Sequence, residues 1–273
     1  MRRKARLALA AFAASALACG PASGIVVRHD APPSLYRAQA SEIPALADWP
    51  GSGHGVLIAP GWVLTVAHTV AGDRPESVSI GGRDRAVAEV ILHPDYAPPT
   101  GPGPDGSIKP IMDASFVMRD IALVRLRNPV TDVAPVAFHE GKVAPGDVVT
   151  LFGKGQGGTG LSGALRIHPQ RGSLRRARNE ISQVLPEWIG ITFERGDAAL
   201  PDEGSIGRGD SGGPLMMVKD GRLELVALAS WTYWDGALED YQAGAYGLTT
   251  YHTRVSAFRD WIAETTGAGA ASS

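Results

Sequence analysis

The sequence predicts an all-β protein, built as barrels or a sandwich and closed by one terminal helix. Short apolar or β-branched runs recur at residues 55–59, 62–66, 86–92, 121–126, 148–152, 189–193, 215–218 and 223–229, separated by clusters of Gly, Pro, Asp and Asn. Many short strands with punctuated turns mark such folds. Helical periodicity is clear only near the end, where Val255, Phe258, Trp261 and Ile262 share one face and Gly267 stands as the stop. No repeat of about 20 to 50 residues and no heptad pattern runs beside these signals.

The chain begins outside the fold. Arg2, Arg3, Lys4 and Arg6 precede an apolar run over residues 7–18 and then small residues, which reads as a secretory signal. At 12 residues the run is too short to span a bilayer, which takes about 20 residues in a helix. The Ala16-Leu17-Ala18-Cys19 segment fits a signal peptidase site and, less well, a lipobox that would anchor the protein through Cys19. The protein is therefore expected to be exported, to the medium or a periplasm. Removing residues 1–24 takes away those four basic residues and no acid, which shifts the formal charge from -2 to -6.

Composition excludes several classes. With 273 residues and 44% hydrophobic content, the chain buries enough apolar surface to fold without covalent staples. Its mild acidity offers no basic field for nucleic acid. Cys19 is the only cysteine, so cleavage beyond it leaves a chain with no internal disulfide and no cysteine metal site. His29, Asp30, Asp73 and Glu76 have no metal-ligand spacing, and no cofactor is expected. Residues 97–107, rich in Pro and Gly, and residues 153–163, rich in Gly, read as long loops, with a frayed tail over 268–273.

The segment Gly207-Arg208-Gly209-Asp210-Ser211-Gly212-Gly213-Pro214 stands directly before an apolar run. A serine among glycines has an unshielded hydroxyl and backbone N–H groups free to turn toward a substrate carbonyl, as acyl transfer requires. Such a serine needs a base. Of the seven histidines, His68 closes the buried-looking run Trp62-Val63-Leu64-Thr65-Val66-Ala67, which places an imidazole at a rigid strand end. The base needs an acid to fix its tautomer. Asp120 heads the apolar run Ile121-Ala122-Leu123-Val124 and is the best candidate.

Together, Thr65-Val66-Ala67-His68, Asp120-Ile121-Ala122-Leu123 and Gly209-Asp210-Ser211-Gly212-Gly213-Pro214 resemble the three signature segments of the chymotrypsin/trypsin family of serine proteases, in that family's order. His93-Pro94-Asp95-Tyr96, Leu174-Arg175-Arg176-Ala177, Ser230-Trp231 and Thr253-Arg254-Val255 extend the resemblance over nearly all of residues 25–265. It implies two perpendicular six-stranded β-barrels with the site in the cleft between them. The expected division is a signal peptide over 1–24, a first barrel over 25–139, a second over 140–253, a helix over 254–266 and a tail over 267–273. His68, Asp120 and Ser211 would form the catalytic triad, and the N–H groups of Gly209 and Ser211 the oxyanion hole. Ile25-Val26 resembles the family's mature N-terminus, whose amine pairs with Asp210. Ala22-Ser23-Gly24 fits signal peptidase, so export cleavage itself would release Ile25.

The resemblance also implies protein or peptide substrates, a protein inhibitor as partner and a monomer; the signal suggests bacterial export, and no later segment is long and apolar enough to span a membrane. Ser205, Ser230, Trp231, Thr232 and Thr250 fall at its substrate-binding positions. A neutral Ser205 at the pocket base and branched Thr232 and Thr250 on its walls point to small or medium uncharged residues before the scissile bond. Asp202 and Glu203 leave a basic preference open should their loop shift. The family's disulfides are missing, with Gly61 and Thr69 beside His68 and Gly207 at the pocket where cysteines would stand. Two other readings remain: a catalytically silent binding protein on the same fold, and an α/β-hydrolase esterase in which Ser211 is followed by Asp235 or Asp240 and then His252. The esterase reading requires a strand, turn and helix around Ser211.

Overall fold

Alternation and continuous apolar runs both become strands in the computed structural model, which describes residues 24–49, 53–104, 106–165 and 172–267. After the short β1 (Val26–Val27), the first barrel takes in β2 (Leu46–Asp48), β3 (His54–Ala59), β4 (Trp62–Thr65), β5 (Ser77–Ile80), β6 (Arg83–Leu92) and β7 (Ala122–Leu126), closed in the order β2-β3-β4-β7-β6-β5. In β5 the period of two is plain, with Val78 and Ile80 buried and Ser77 and Ser79 on the other face. In β3 and β4, the apolar Val56, Leu57, Val63 and Leu64 are all inaccessible to solvent.

Two helical elements interrupt this barrel: α1 (Ala67–Val70) after β4, and α2 (Lys109–Val117) before β7. The sequence reading placed a long loop over residues 97–107 and no helix between it and β7. The helix tolerates Pro110 because it sits in the first turn, where its missing N–H costs nothing.

The second barrel follows β8 (Ala137–Phe138) and is built from β9 (Val148–Gly153), β12 (Arg175–Val184), β13 (Trp188–Thr192), β15 (Pro214–Lys219), β16 (Arg222–Thr232) and β17 (Thr249–Arg254). The order β15-β9-β12-β13-β17-β16 closes through pairing of β15 with β16. Asp220-Gly221 makes the turn of that last hairpin, with both residues at positive φ (51° and 75°), the conformation a two-residue turn of this hand demands. Between the main strands lie β10 (Gly158–Thr159), β11 (Gly163–Ala164) and β14 (Gly204–Ser205), which form a small sheet with β1. The division expected at residue 139 is thus crossed, because β1 and β8 on its N-terminal side pair with β10, β14 and β16 on the other.

The C-terminal periodicity resolves into a short 3-10 turn (Val255–Phe258) and α3 (Arg259–Thr266), ended by Gly267 in the left-handed conformation. Residue 254, expected in the helix, is the last of β17. Among the described residues no helix is long and apolar enough to cross a membrane. Residues 1–23 of the signal expected over 1–24, Cys19 among them, and residues 268–273 of the tail lie outside the described residues.

Register sets the site. β4 and β7 are antiparallel with Thr65 opposite Ala122, so His68, three residues beyond one, and Asp120, two residues before the other, emerge at the same barrel end. In the second barrel Pro214 pairs with Leu228, which brings the loop before β15 alongside Ser230.

Candidate active site

His68 and Asp120 meet as their register requires. His68 Nδ1 lies 2.7 Å from Asp120 Oδ2, and the His68 backbone N–H donates to Oδ1 at 2.9 Å. Ser230 Oγ donates to the same Oδ2, and Thr253 Oγ1 donates to the Asp120 carbonyl at 2.8 Å. The carboxylate is fully buried, whereas the His68 side chain is 36% exposed. Burial works against the charge on Asp120, but the adjacent His68 and the hydrogen bonds outweigh it and hold the carboxyl below its ordinary pKa. For His68 partial desolvation lowers the pKa, and the Asp120 charge and hydrogen bond reverse that to a net rise above 6.5.

Ser211 arrives from the second barrel on a loop fixed against the first. Its carbonyl accepts the His54 N–H at 2.6 Å, and Thr65 Oγ1 donates to the His54 carbonyl at 2.6 Å. Gly212 lies so close that a Cβ there would stand 1.9 Å from the His54 carbonyl oxygen, so only glycine allows this docking. Thr65 is the strand residue three before His68, and the serine loop therefore rests on the segment that presents the imidazole. His68 Nε2 and Ser211 Oγ make no direct hydrogen bond among the described residues; such contacts are commonly long until substrate binds.

The loop's amides divide sharply. Asp210 N–H donates to the Gly207 carbonyl, Gly212 N–H to Ala229 and Gly213 N–H to Asp210, at 3.2, 2.7 and 2.9 Å. The Gly209 and Ser211 N–H groups donate to no described residue, and Gly209 holds φ at +86°. Two amides on either side of Asp210 are therefore free to bind an oxyanion.

Asp210 itself anchors the loop. Its Oδ1 accepts the Gly155 N–H at 2.7 Å, and its Oδ2 accepts Gly207 N–H at 2.8 Å and the buried Ile25 N–H at 3.3 Å. The predicted partners Ile25 and Asp210 are thus in contact with Gly24 still attached.

The residues expected to bind substrate separate into two groups. Trp231 and Thr232 line a cavity of about 310 Å³ that opens on Ser211. Ser230 reaches its wall too, but its hydroxyl is committed to Asp120, a link the sequence reading missed. Ser205 and Thr250 do not line it. They are buried, Ser205 opposite Val26 on β14 and Thr250 on β17 with Oγ1 against His252 Nε2 at 3.2 Å. Nor do the nearby acids supply a basic preference. Asp202 is paired with Arg178, and buried Glu203 accepts the N–H groups of Glu194 and Leu200 while desolvation raises its pKa to about 7.

The esterase reading fails on this geometry. Ser211 is followed by the strand β15 and not by a helix, and His252 is buried on β17, where desolvation drives its pKa down to about 3.

Comparison with known proteins identifies the family. The chain is 29% identical over 253 residues to the human chymotrypsin-like elastase family member 3B, covering 90% of each. It is 28% identical over 245 residues to a calcium-dependent serine proteinase of Mesocricetus auratus, covering 80% of this chain but only 32% of that protein. The chain thus spans about a third of one relative's length and nine-tenths of the other's. The trypsin family model matches residues 36–262, and the chain belongs to the trypsin family.

Proposed function

We propose that this chain is a secreted serine endopeptidase that cleaves after uncharged residues of small or medium size. Asp120, as a carboxylate, only accepts hydrogen bonds, so His68 carries its proton on Nδ1 and presents a lone pair at Nε2. Ser211 Oγ attacks the substrate carbonyl as its proton passes to Nε2, and the new oxyanion is held by the Gly209 and Ser211 amides. The C–N bond then breaks, with the proton moving from Nε2 to the leaving amine, and water repeats the sequence to free the acid. The single observation that carries this reading is that the Gly209 and Ser211 amides, on either side of Asp210, have no acceptor among the described residues while those of Asp210, Gly212 and Gly213 are paired.

Maturation by cleavage after Gly24 completes the proposal. Ile25 in the uncut chain has φ of +62°, a conformation that a β-branched residue adopts only under strain. Cutting the Gly24–Ile25 bond removes the preceding carbonyl that makes this conformation costly. It also leaves a cationic amine at Asp210.

The pH dependence tests both halves. His68 must be neutral to take the proton, and its pKa is raised, so kcat/KM for a peptide substrate falls as pH drops through a midpoint above 6.5. The Ile25 amine must be charged, and pairing lifts it above its free value of about 7.7 to 8.0, so activity also falls as pH rises past that raised value. The expected profile is a bell. An acid limb centred below pH 6 would contradict the His68 assignment, and the absence of any alkaline limb the amine pairing.

A further inference from the structure

The cavity beside Ser211 is completed by a helix that the barrels do not need. α2 is inserted in the first barrel between β6 and β7, yet its contacts lie on the second. The Phe116 ring packs edge-on against Trp231 with centroids 4.8 Å apart and meets Tyr251 at 5.1 Å. Trp188 Nε1 donates to the Phe116 carbonyl at 2.8 Å, and Met118 is buried with Trp188 and Tyr251. Nearer its start, Met112 Sδ accepts the Trp234 N–H at 3.4 Å. Clamped along its length in this way, α2 bridges the cleft as a fixed wall.

The face it turns to the cavity is apolar. Ile108, Ile111, Met112 and Ser115 recur at the spacing of one helix face and all line the space that opens on Ser211. Two of the hydroxyls at this cavity are already committed. Ser115 Oγ is spent on the Ile111 carbonyl at 2.8 Å, and Ser230 Oγ on Asp120. Arg208 lines the same cavity and is itself exposed, which disfavours a cationic side chain. A volume of about 310 Å³ sits at the bottom of the range for ligand pockets and suits one apolar side chain.

We infer that α2 is the specificity-determining wall of this enzyme, and that its cavity takes a Leu- or Met-like side chain from the substrate residue that supplies the scissile carbonyl. Ser211 lines the same cavity, which ties the pocket to that residue and not to a distant one. This inference rests on the serine peptidase reading above, and the test separates the two.

The experiment measures kcat/KM on peptides differing only before the scissile bond, with Ala, Leu, Phe, Arg or Glu there. A fluorophosphonate label on Ser211 reports an assembled site in each protein. The wild type is expected to favour Leu over Ala by about tenfold or more, the usual discrimination of an apolar pocket. In Met112→Ala and Ile111→Ala that ratio falls severalfold, and because it compares two substrates within one variant, a general loss of folded enzyme does not move it. A ratio unchanged in both labelled variants, or a wild type that prefers Arg or Glu, overturns the role of α2. A wild type that takes no label overturns the peptidase reading, and this inference with it.

Discussion

His68→Ala and Ser211→Ala each lower peptide turnover by about 10⁶-fold, and the double variant falls no further. The proton relay explains the equality. Ser211 Oγ is a poor nucleophile with its proton in place, and His68 Nε2 is a base without purpose when no hydroxyl faces it. Either deletion leaves only binding and the Gly209 and Ser211 amides, which retain roughly 10³ to 10⁴ over the uncatalysed rate. The measurement is kcat of purified single and double variants on one peptide substrate. Additive losses would show that the two side chains act in separate steps, contrary to the proposed mechanism.

Asp120→Asn keeps the shape of the site and loses about 10⁴ in turnover. The carboxylate is fully buried and receives the His68 backbone N–H, the Ser230 hydroxyl and the imidazole. An amide of the same size presents one N–H₂ group in place of an acceptor oxygen. When that group faces Nδ1, the histidine proton is forced onto Nε2, where it blocks the lone pair that Ser211 needs. The wrong tautomer blocks proton transfer and leaves the apolar walls of the cavity in place, so the loss appears chiefly in kcat. Turnover within tenfold of wild type would mean that Asp120 does not set the tautomer.

Much of this architecture is legible in the chain because apolar runs and turn residues carry it. Trp62 to Val66 and Ile121 to Leu126 read as strands because nearly every side chain is apolar, and their pairing then places His68 beside Asp120. β12 was invisible for the opposite reason. Its sequence begins Arg175-Arg176-Ala177-Arg178, and only Ala177, Asn179 and Ile181 turn inward, so charged residues mask the alternation. The buried Asn179 is tolerated because its Nδ2 donates to the Gly204 carbonyl at 3.0 Å. α2 was hidden by Pro110 and by the Gly- and Pro-rich stretch before it, although Ile108, Ile111, Met112 and Ser115 already held helical spacing.

The proposed triad is legible for a further reason: each member lies within three residues of where a strand begins or ends, and strand ends show in one dimension. The substrate site is not, since a wall's residues come from distant segments. Ser205 and Thr250 looked like lining residues by their place in the motif order. The structure buries both, and the cavity that opens on Ser211 is lined instead by α2 and Trp231 among others. Ser230, expected to meet substrate, lines the cavity and also donates its hydroxyl to Asp120, a contact between residues 110 positions apart that nothing local announces.

The intact mass of the mature protein, taken before and after reaction with a fluorophosphonate, tests the central claim most directly. One adduct is predicted, located on Ser211 and absent from Ser211→Ala, on a chain that begins at Ile25. A chain that begins at Ile25 and takes up no adduct would contradict the account and leave a binding protein on a protease fold.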